Sequence, residues 1–222
     1  MSYQLLVFDW DGTLMDSEAK IVACMQAAFV DLGMEAPSRN AVRDIIGLGL
    51  REAIQSVYPG AGDGLVDDLF QGYRRHFLGE DNTPSQLFPG VEETLEQLDR
   101  AGYLLSVATG KGRRGLDKVL DETGLGRFFI ATRCADETFS KPHPEMLNQL
   151  IDFAGVEPRD VLMIGDTEYD LQMAANAGTD SLAVSYGAHE VERLLNHRPV
   201  GCLDAISELP GYLASQTLRS LR

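Results

Sequence analysis

The hydrophobic pattern of the chain opens with a short apolar run that stops abruptly at two carboxylates. Residues 5–8 are apolar without interruption, and Asp9 and Asp11 follow at once. An uninterrupted apolar run of this length is typical of a strand buried on both faces, as in a parallel sheet. Open α/β sheets bind ligands at the carboxyl ends of their strands, where Asp9 and Asp11 would lie. Taken alone, these residues fit a simple turn after a strand equally well.

After this strand, apolar positions recur at helical spacing as far as residue 85. The pattern predicts helices at 17–32, 38–46, 50–58 and 63–78, with no convincing strand between them. Glycine and proline residues separate the helices. We therefore predict that residues 17–85 form a helical cap domain, inserted after the first strand and lying over its carboxyl end.

From residue 87 onward the pattern alternates between strands and helices. Strands are predicted at 104–108, 128–132, 161–164 and 181–184, and helices at 91–101, 113–123, 144–154 and 169–177. Such alternation with short turns is typical of a parallel sheet with helices on both faces. The predicted fold class is therefore α/β, a doubly wound, Rossmann-like parallel sheet built by residues 1–16 and 86–222. A further edge strand and a closing helix are expected after residue 200.

The composition is strongly acidic and limits the partners of the protein. The chain of 222 residues has 19 basic and 34 acidic residues, a formal net charge of −15. Such a surface repels nucleic acids and anionic membranes, so we expect neither as a partner. No apolar run approaches the ~20 residues that span a bilayer, and no signal peptide is expected. A cytoplasmic protein is therefore expected, either a monomer or a homodimer.

Chemically unusual residues follow three of the predicted strands. They are Asp9 and Asp11 after the first strand, Thr109 and Gly110 after 104–108, and Asp166 and Asp170 after 161–164, with Lys141 before the helix at 144–154. Two carboxylates ~4 Å apart repel by about 4 kcal/mol at an effective dielectric of ~20, so a cluster of them needs a cation. Carboxylates, a backbone carbonyl and waters are the ligands that Mg²⁺ prefers. A strand-to-helix turn such as Thr109–Gly110 is a natural anion cradle.

Each of these groups also has an ordinary structural explanation. Asp166 with Thr167 is a good amino cap for the following helix, and Thr109 with Gly110 makes a common turn. Lys141 fits a solvated loop, and Lys111 is expected on the exposed face of a helix amino terminus. Only the joint occurrence of the groups, in this order and at strand ends, favours a metal and phosphate site.

Together the motifs resemble the haloacid-dehalogenase-like hydrolases, most closely the phosphoglycolate-phosphatase-like branch with a small helical cap. The strongest motifs are Asp-x-Asp-Gly-Thr-Leu-x-Asp-Ser from Asp9 and Gly-Asp-Thr-x-x-Asp from Gly165. Thr109 and the Ser-Lys-Pro sequence around Lys141 stand where the family has them. The resemblance covers nearly the whole chain.

The resemblance implies a role for each carboxylate of the first motif. Asp9 would be the nucleophile that forms an aspartyl-phosphate, and Asp11 would protonate the leaving group and later accept a proton from water. Thr13 would orient Asp11. An acidic residue at position 11 indicates a phosphatase, because the dehalogenases of the family have a non-acidic residue there.

The resemblance also implies how metal and phosphate are bound. The ligands of Mg²⁺ would be Asp9, the Asp11 carbonyl, Asp166 and, directly or through water, Asp170. The phosphate would be bound by Thr109, the Gly110 amide and Lys141. Gly110 replaces a frequent Asn or Ser of the family, which removes a side-chain contact to the phosphate.

These features lead us to expect a Mg²⁺-dependent phosphomonoesterase that acts on a small phosphorylated metabolite, such as phosphoglycolate or a sugar phosphate. A phosphosugar mutase or inorganic pyrophosphatase of the same fold stays open, as does a receiver-like regulatory domain that accepts a phosphoryl group. In the cap, residues 47–52 are the candidates for substrate selectivity. Arg51 would meet a second anionic group of the substrate, although a purely structural role on a helix is an equally good interpretation.

Overall fold

The computed structural model describes residues 3–220, which form a six-stranded sheet and a small two-stranded ribbon. The strands are, in chain order, β1 (Leu5–Phe8), β2 (Met15–Asp16), β3 (Gln86–Leu87), β4 (Leu104–Thr109), β5 (Ala131–Cys134), β6 (Val161–Gly165), β7 (Asp180–Val184) and β8 (Cys202–Leu203). The sheet has the order β5-β4-β1-β6-β7-β8, and each neighbouring pair is parallel. The strand order reverses at β1, the place where open α/β sheets bind their ligands.

Helices α1 to α4 form the cap and α5 to α10 flank the sheet. Their bounds are α1 (Glu18–Asp31), α2 (Arg39–Arg43), α3 (Leu50–Val57), α4 (Asp63–Arg75), α5 (Val91–Arg100), α6 (Arg113–Thr123), α7 (Glu145–Ala154), α8 (Glu168–Ala177), α9 (Val191–Leu195) and α10 (Leu209–Ser220). A π-helical turn (His76–Glu80) continues α4. Within residues 3–220, none of the helices combines the length and the apolar character that crossing a bilayer requires.

Alternate residues of β1 are buried on opposite faces of the sheet. Leu6 and Phe8 pack in a cluster with apolar residues of α5, α6 and α10, whereas Leu5 and Val7 pack with α7 and α8. All four side chains are completely buried. Burying an apolar side chain of this size contributes about 1.5–3 kcal/mol, so both faces favour an apolar residue at each position. This double burial explains the uninterrupted apolar run in the sequence.

The cap has an apolar core of its own. Met25 and Phe29 of α1, Ile54 of α3 and Leu69 of α4 are almost completely buried within it. Since the four cap helices bury their apolar positions mainly against one another, their helical spacing can be recognised in the sequence.

The chain leaves and re-enters the sheet domain through the ribbon formed by β2 and β3. These antiparallel strands pair Met15 with Leu87 and Asp16 with Gln86. Strands of two residues are too short to show alternation, so the sequence pattern did not reveal them. The ribbon lies at the predicted boundaries of the cap. We therefore retain residues 17–85 as the proposed extent of the cap.

The predicted doubly wound α/β fold is confirmed, and two of the predicted elements have bounds that differ by several residues. The strand predicted at 128–132 begins later, as β5, because Phe128 belongs to a 3₁₀ turn that is buried against the main core. The helix predicted at 38–46 ends at Arg43, and turns follow it. The edge strand and closing helix expected after residue 200 are β8 and α10.

Candidate active site

Three neighbouring strands place their carboxyl ends side by side. Because β4, β1 and β6 are adjacent and parallel, Thr109, Asp9 and Asp166 reach the same edge of the sheet. All three residues are buried. A buried carboxylate requires a compensating partner, because an unpaired charge away from water is strongly unfavourable.

Lys141 is a buried cation that lies between two of the carboxylates. Its Nζ is 2.8 Å from Asp9 Oδ1 and 2.6 Å from Asp170 Oδ1. Burial by itself would lower the pKa of Lys141, but the charges of Asp170 and Asp9 outweigh that effect and raise the pKa above its usual value. The alternative of a solvated loop lysine is therefore wrong, since Lys141 is 1% exposed. The lysine therefore supplies a fixed positive charge to Asp9 and Asp170.

Asp9, Asp166 and Asp170 form a carboxylate triad with the donor set of a hard divalent cation. One oxygen from each residue lies within 4.8 Å of the other two. Asp9 Oδ2 is buried and has no hydrogen-bond partner among residues 3–220. Removal from water and the charge of Asp170 raise the pKa of Asp166 to about 7. A bound cation would relieve both unfavourable features, and carboxylate oxygens are preferred ligands of Mg²⁺, so the residues present fit this ion.

Two hydrogen bonds hold the Asp166 carboxylate in place. The Thr13 hydroxyl donates to Oδ1 at 2.8 Å, and the backbone N–H of Ala188 donates to Oδ2 at 2.7 Å. Gly12 permits this close approach, since it has a φ of +84° and a Cβ there would lie 2.1 Å from Asp166 Oδ2. The prediction that Thr13 orients Asp11 is thus corrected, because its single hydroxyl proton is donated to Asp166.

Asp170 is fixed by the helix that carries it. Its Oδ2 accepts hydrogen bonds from the backbone N–H of Thr167 at 3.1 Å and from the Thr167 hydroxyl at 2.8 Å. Thr167 is the amino-cap residue of α8, and Asp170 at the third helical position completes a capping box. Of the predicted Asp166-Thr167 cap, Thr167 is therefore the capping residue, and the Asp166 carboxylate is directed to the site instead.

The side chain of Asp11 lies outside the carboxylate triad and has different partners. Its Oδ1 accepts a hydrogen bond from the Ser17 hydroxyl at 2.5 Å and lies 2.8 Å from Lys111 Nζ. Asp11 is 8% exposed. The two carboxylates of the first motif are thus held by separate cations, Asp9 by Lys141 and Asp11 by Lys111. A metal contact through the Asp11 carbonyl remains a prediction.

Lys111 is a site residue that the sequence interpretation missed. We expected it on the exposed face of a helix, but it is 9% exposed. Its ammonium group lies between Asp11 and the ring of the cap residue Phe77, with Nζ 4.4 Å from the ring centroid. The prediction failed because the residue that covers Lys111 comes from the cap, 34 positions earlier in the sequence. Nothing in the sequence indicates that two residues so far apart are in contact.

Gly110 lies where the cap loop at 47–49 touches the sheet domain. A Cβ on Gly110 would be 2.5 Å from the Leu48 carbonyl oxygen and 2.6 Å from that of Gly47. The backbone N–H of Gly49 also donates to the Ser140 hydroxyl at 2.7 Å. A larger residue at this position would therefore displace the cap loop. The cap loop therefore rests directly on the loops that carry Thr109 and Lys141.

A cavity of about 430 Å³ separates the cap from the strand ends. Asp9, Asp11, Thr109 and Lys111 are among its lining residues, and the cap contributes mainly apolar side chains. Arg51 also lines the cavity, as its candidate role requires, and its Nη2 lies 2.5 Å from Asp67 Oδ1. Its part in substrate selectivity remains a prediction.

Known proteins of similar sequence are hydrolases of one family. A family model for the haloacid dehalogenase-like hydrolases matches residues 6–184. "Probable phosphatase IndB" of Dickeya dadantii is 35% identical over 211 residues, which are 93% of this chain and 92% of the relative. A protein named phosphoglycolate phosphatase from Vibrio parahaemolyticus is 32% identical over 215 residues, which are 93% of this chain and 94% of the relative.

Solved structures show the same fold. The crystal structure of a "predicted phosphoglycolate phosphatase" from Haemophilus somnus 129PT has a TM-score of 0.87 at 24% identity, covering 96% of this chain and 98% of that one. The family model spans both motifs that contain the carboxylate triad. The chain therefore belongs to the haloacid dehalogenase-like hydrolase family.

Proposed function

We propose that this phosphatase hydrolyses a small phosphomonoester with Asp9 as the nucleophile, Asp11 as the general acid and base, and Mg²⁺ as the cofactor. The observation that carries the proposal is the difference between the two carboxylates. Asp9 Oδ2 is buried without a hydrogen-bond partner among the described residues, whereas Asp11 is bonded to Ser17 and Lys111. Asp9 Oδ2 thus accepts no hydrogen bond from the described residues and keeps lone pairs for the metal and for attack on phosphorus, whereas the Asp11 carboxyl group is held apart from it.

In the first proposed step, a carboxylate oxygen of Asp9 attacks phosphorus and the bond from phosphorus to the leaving-group oxygen breaks, which leaves an aspartyl-phosphate. Lys141 orients Asp9 through its 2.8 Å contact and offsets negative charge on the transferring group. Mg²⁺ held by Asp9, Asp166 and Asp170 would supply further charge neutralisation.

Asp11 would move the protons. It donates a proton to the departing oxygen, and in the second step it accepts one from the water that attacks the aspartyl-phosphate. The contacts with Ser17 and Lys111 fix the carboxyl group for both transfers. Water in the cavity during the first step would compete with the substrate for the site. The docked cap would exclude this water.

Thr109, the Gly110 amide and Lys141 are the proposed phosphate ligands. The Thr109 hydroxyl accepts a hydrogen bond from the Lys111 backbone N–H at 3.2 Å, so its own proton remains to be donated to a phosphate oxygen. Phosphoglycolate and sugar phosphates are proposed substrate classes, supported by the names of the relatives.

The proposal is tested by Asp9→Asn, assayed with p-nitrophenyl phosphate and Mg²⁺. We expect phosphate release to fall by about 10³-fold or more, because an amide cannot act as the nucleophile. Asp99→Asn, an exposed aspartate of α5, is the matched control. Activity of Asp9→Asn within about tenfold of the unmodified protein would contradict the proposal.

Product analysis separates a hydrolase from a mutase of the same fold and from a receiver-like domain of another class. A hydrolase releases phosphate and alcohol in equal amounts, whereas a phosphosugar mutase returns an isomeric phosphosugar with little net phosphate. A receiver-like domain would keep its aspartyl-phosphate and release phosphate slowly.

A further inference from the structure

The cavity above Asp9 is larger than the smallest phosphomonoesters require. Its volume of about 430 Å³ lies within the range of ~300–1,000 Å³ that is typical of pockets for drug-sized ligands. Beyond its phosphate, phosphoglycolate has only a methylene group and a carboxylate. Such a substrate would leave much of the cavity filled with water.

The cap lines this cavity with apolar and aromatic side chains. Met25, Ile46, Leu50, Phe70 and Phe77 are among them. Removing apolar surface from water favours binding, and a short polar ester cannot cover this surface. The walls therefore favour a substrate whose leaving group has an apolar or aromatic body.

Two cationic groups lie on one aromatic ring of the cavity wall, and they differ in their partners. The Cζ atoms of Arg51 and Arg74 are 5.1 and 5.5 Å from the ring centroid of Phe70. Arg51 forms an ion pair with Asp67. Arg74 is partly buried and forms no ion pair with any other side chain that the structure describes between residues 3 and 220.

An arginine without a carboxylate partner is notable in a chain with a formal net charge of −15. At a cavity wall its guanidinium group can take two oxygen atoms of an anion in a forked arrangement. Arg114 also lines the cavity, from the sheet domain, and likewise has no ion pair among the described side chains. These two arginines thus favour a negative group of the ligand at the cavity wall.

We propose that the substrate is a phosphomonoester whose leaving group is a sizeable, largely apolar body that carries an anionic group, and that Arg74 binds this group. The proposal rests on the proposed phosphatase function and specifies its substrate class. It gives Arg74, rather than the ion-paired Arg51, the main part in recognising the second negative charge.

Three esters of primary alcohols test the substrate class: phosphoglycolate, benzyl phosphate and 4-carboxybenzyl phosphate. Their leaving groups are all primary alkoxides, so differences in kcat/KM report mainly on the contacts of the body. We expect 4-carboxybenzyl phosphate to exceed phosphoglycolate by about tenfold or more, and to exceed benzyl phosphate by about tenfold. Equal or higher kcat/KM for phosphoglycolate would overturn the proposal.

Arginine variants test the anionic contact. Arg74→Ala should reduce kcat/KM for 4-carboxybenzyl phosphate by about fivefold more than for benzyl phosphate. Arg75→Ala is the matched control, because the neighbouring Arg75 pairs with Asp31 and does not line the cavity. Arg51→Ala should change the carboxylate preference less than Arg74→Ala. Equal loss for both benzyl esters in Arg74→Ala would overturn the assignment of Arg74.

The outcomes also separate this proposal from the proposed function. If the unmodified protein hydrolyses none of the three esters or p-nitrophenyl phosphate with Mg²⁺, the phosphatase proposal fails and the substrate proposal fails with it. If all are hydrolysed but phosphoglycolate is preferred, the phosphatase proposal stands and only the substrate class is overturned.

Discussion

At the scale of single residues, the site separates two carboxylates that are neighbours in sequence. Asp9 joins the triad with Asp166 and Asp170, while Asp11 is held by Ser17 and Lys111. Each carboxylate therefore has its own lysine. The separation is the physical basis for giving the two residues different chemical roles.

Lys111 connects the cap to the proposed general acid, which leads to a prediction. In Lys111→Met the aliphatic stem is retained but the ion pair with Asp11 is lost, so we expect kcat to fall by about 10–100-fold. The loss should be greater for alkyl phosphates than for p-nitrophenyl phosphate, because nitrophenolate leaves without a proton. The measurement is a comparison of kcat for the two ester types.

Lys111→Arg provides the control for this prediction. A guanidinium group keeps the charge near Asp11 and should restore part of the activity on alkyl phosphates. If Lys111→Met reduced the hydrolysis of both ester types equally, the role of Lys111 in positioning Asp11 would be refuted.

At the scale of elements, the loops after β4 and before α7 contain the proposed phosphate ligands and also contact the cap. The carbonyl groups of Gly47 and Leu48 lie against Gly110, and Gly49 bonds to Ser140. The cap position is therefore set by backbone contacts at the edge of the phosphate site.

Gly110→Ala tests whether this contact sets the cap position. The new Cβ would lie 2.5 Å from a carbonyl oxygen of the cap loop, so the loop has to move away from the sheet. We expect kcat/KM to fall by about tenfold or more while the free energy of unfolding changes by less than about 1 kcal/mol. Steady-state kinetics and urea unfolding give the two quantities.

Gly64→Ala is the corresponding control in the cap. A Cβ at Gly64, in α4, has nothing within 4 Å. This substitution should leave kcat/KM unchanged and stabilise the helix by about 0.4–1 kcal/mol. Unchanged kcat/KM in Gly110→Ala would show that the loop contact does not set the active position of the cap.

At the scale of the whole molecule, an ion-pair network on the surface joins cap and sheet domain. Arg193 of α9 binds Asp44 of the cap, and its Nη2 lies 2.5 Å from Glu168 Oε1 in α8. The Tyr169 hydroxyl donates to the Asp44 carbonyl oxygen at 3.0 Å. The network therefore gives the cap a polar contact with the sheet domain in addition to the backbone contacts at Gly110.

The network predicts a dependence of stability on pH. The hydrogen bond from Arg193 lowers the pKa of Glu168 from 4.5 to about 2. Since the folded-state pKa is the lower one, the stabilisation is complete above about pH 5 and is lost as the pH falls toward 2. The difference in unfolding free energy between the unmodified protein and Arg193→Ala should therefore be smaller at about pH 3 than at about pH 7. Urea unfolding at the two pH values measures it, and a difference independent of pH would contradict the prediction.

The sequence predicted what depends on local pattern and on strand order. Four consecutive apolar residues indicated that β1 is buried on both faces of the sheet. The predicted parallel arrangement then placed Asp9, Thr109 and Asp166 at one edge of the sheet. Lys141 was a candidate from its place in the sequence, but its burial could not be predicted, because nothing in a Lys-Pro loop distinguishes a buried lysine from a solvated one.

The remaining features depend on contacts between distant segments. Lys111 is buried by Phe77, and the backbone at Gly110 is covered by the loop at 47–49. The Thr13 hydroxyl donates to Asp166 rather than to the nearby Asp11, a choice that only the three-dimensional arrangement makes. The pattern of apolar and polar residues in one sequence does not show which cap residues contact which residues of the sheet domain.

The most direct test of the central claim is to trap the phosphorylated protein. A reaction with substrate and Mg²⁺ is quenched with acid within the first turnover, reduced with borohydride and digested, and the peptides are analysed by mass spectrometry. We predict that reduction converts the side chain of Asp9, and no other, to a primary alcohol, and that Asp9→Asn abolishes the product. A turnover that releases phosphate without modifying Asp9, or that modifies another residue instead, would contradict the account.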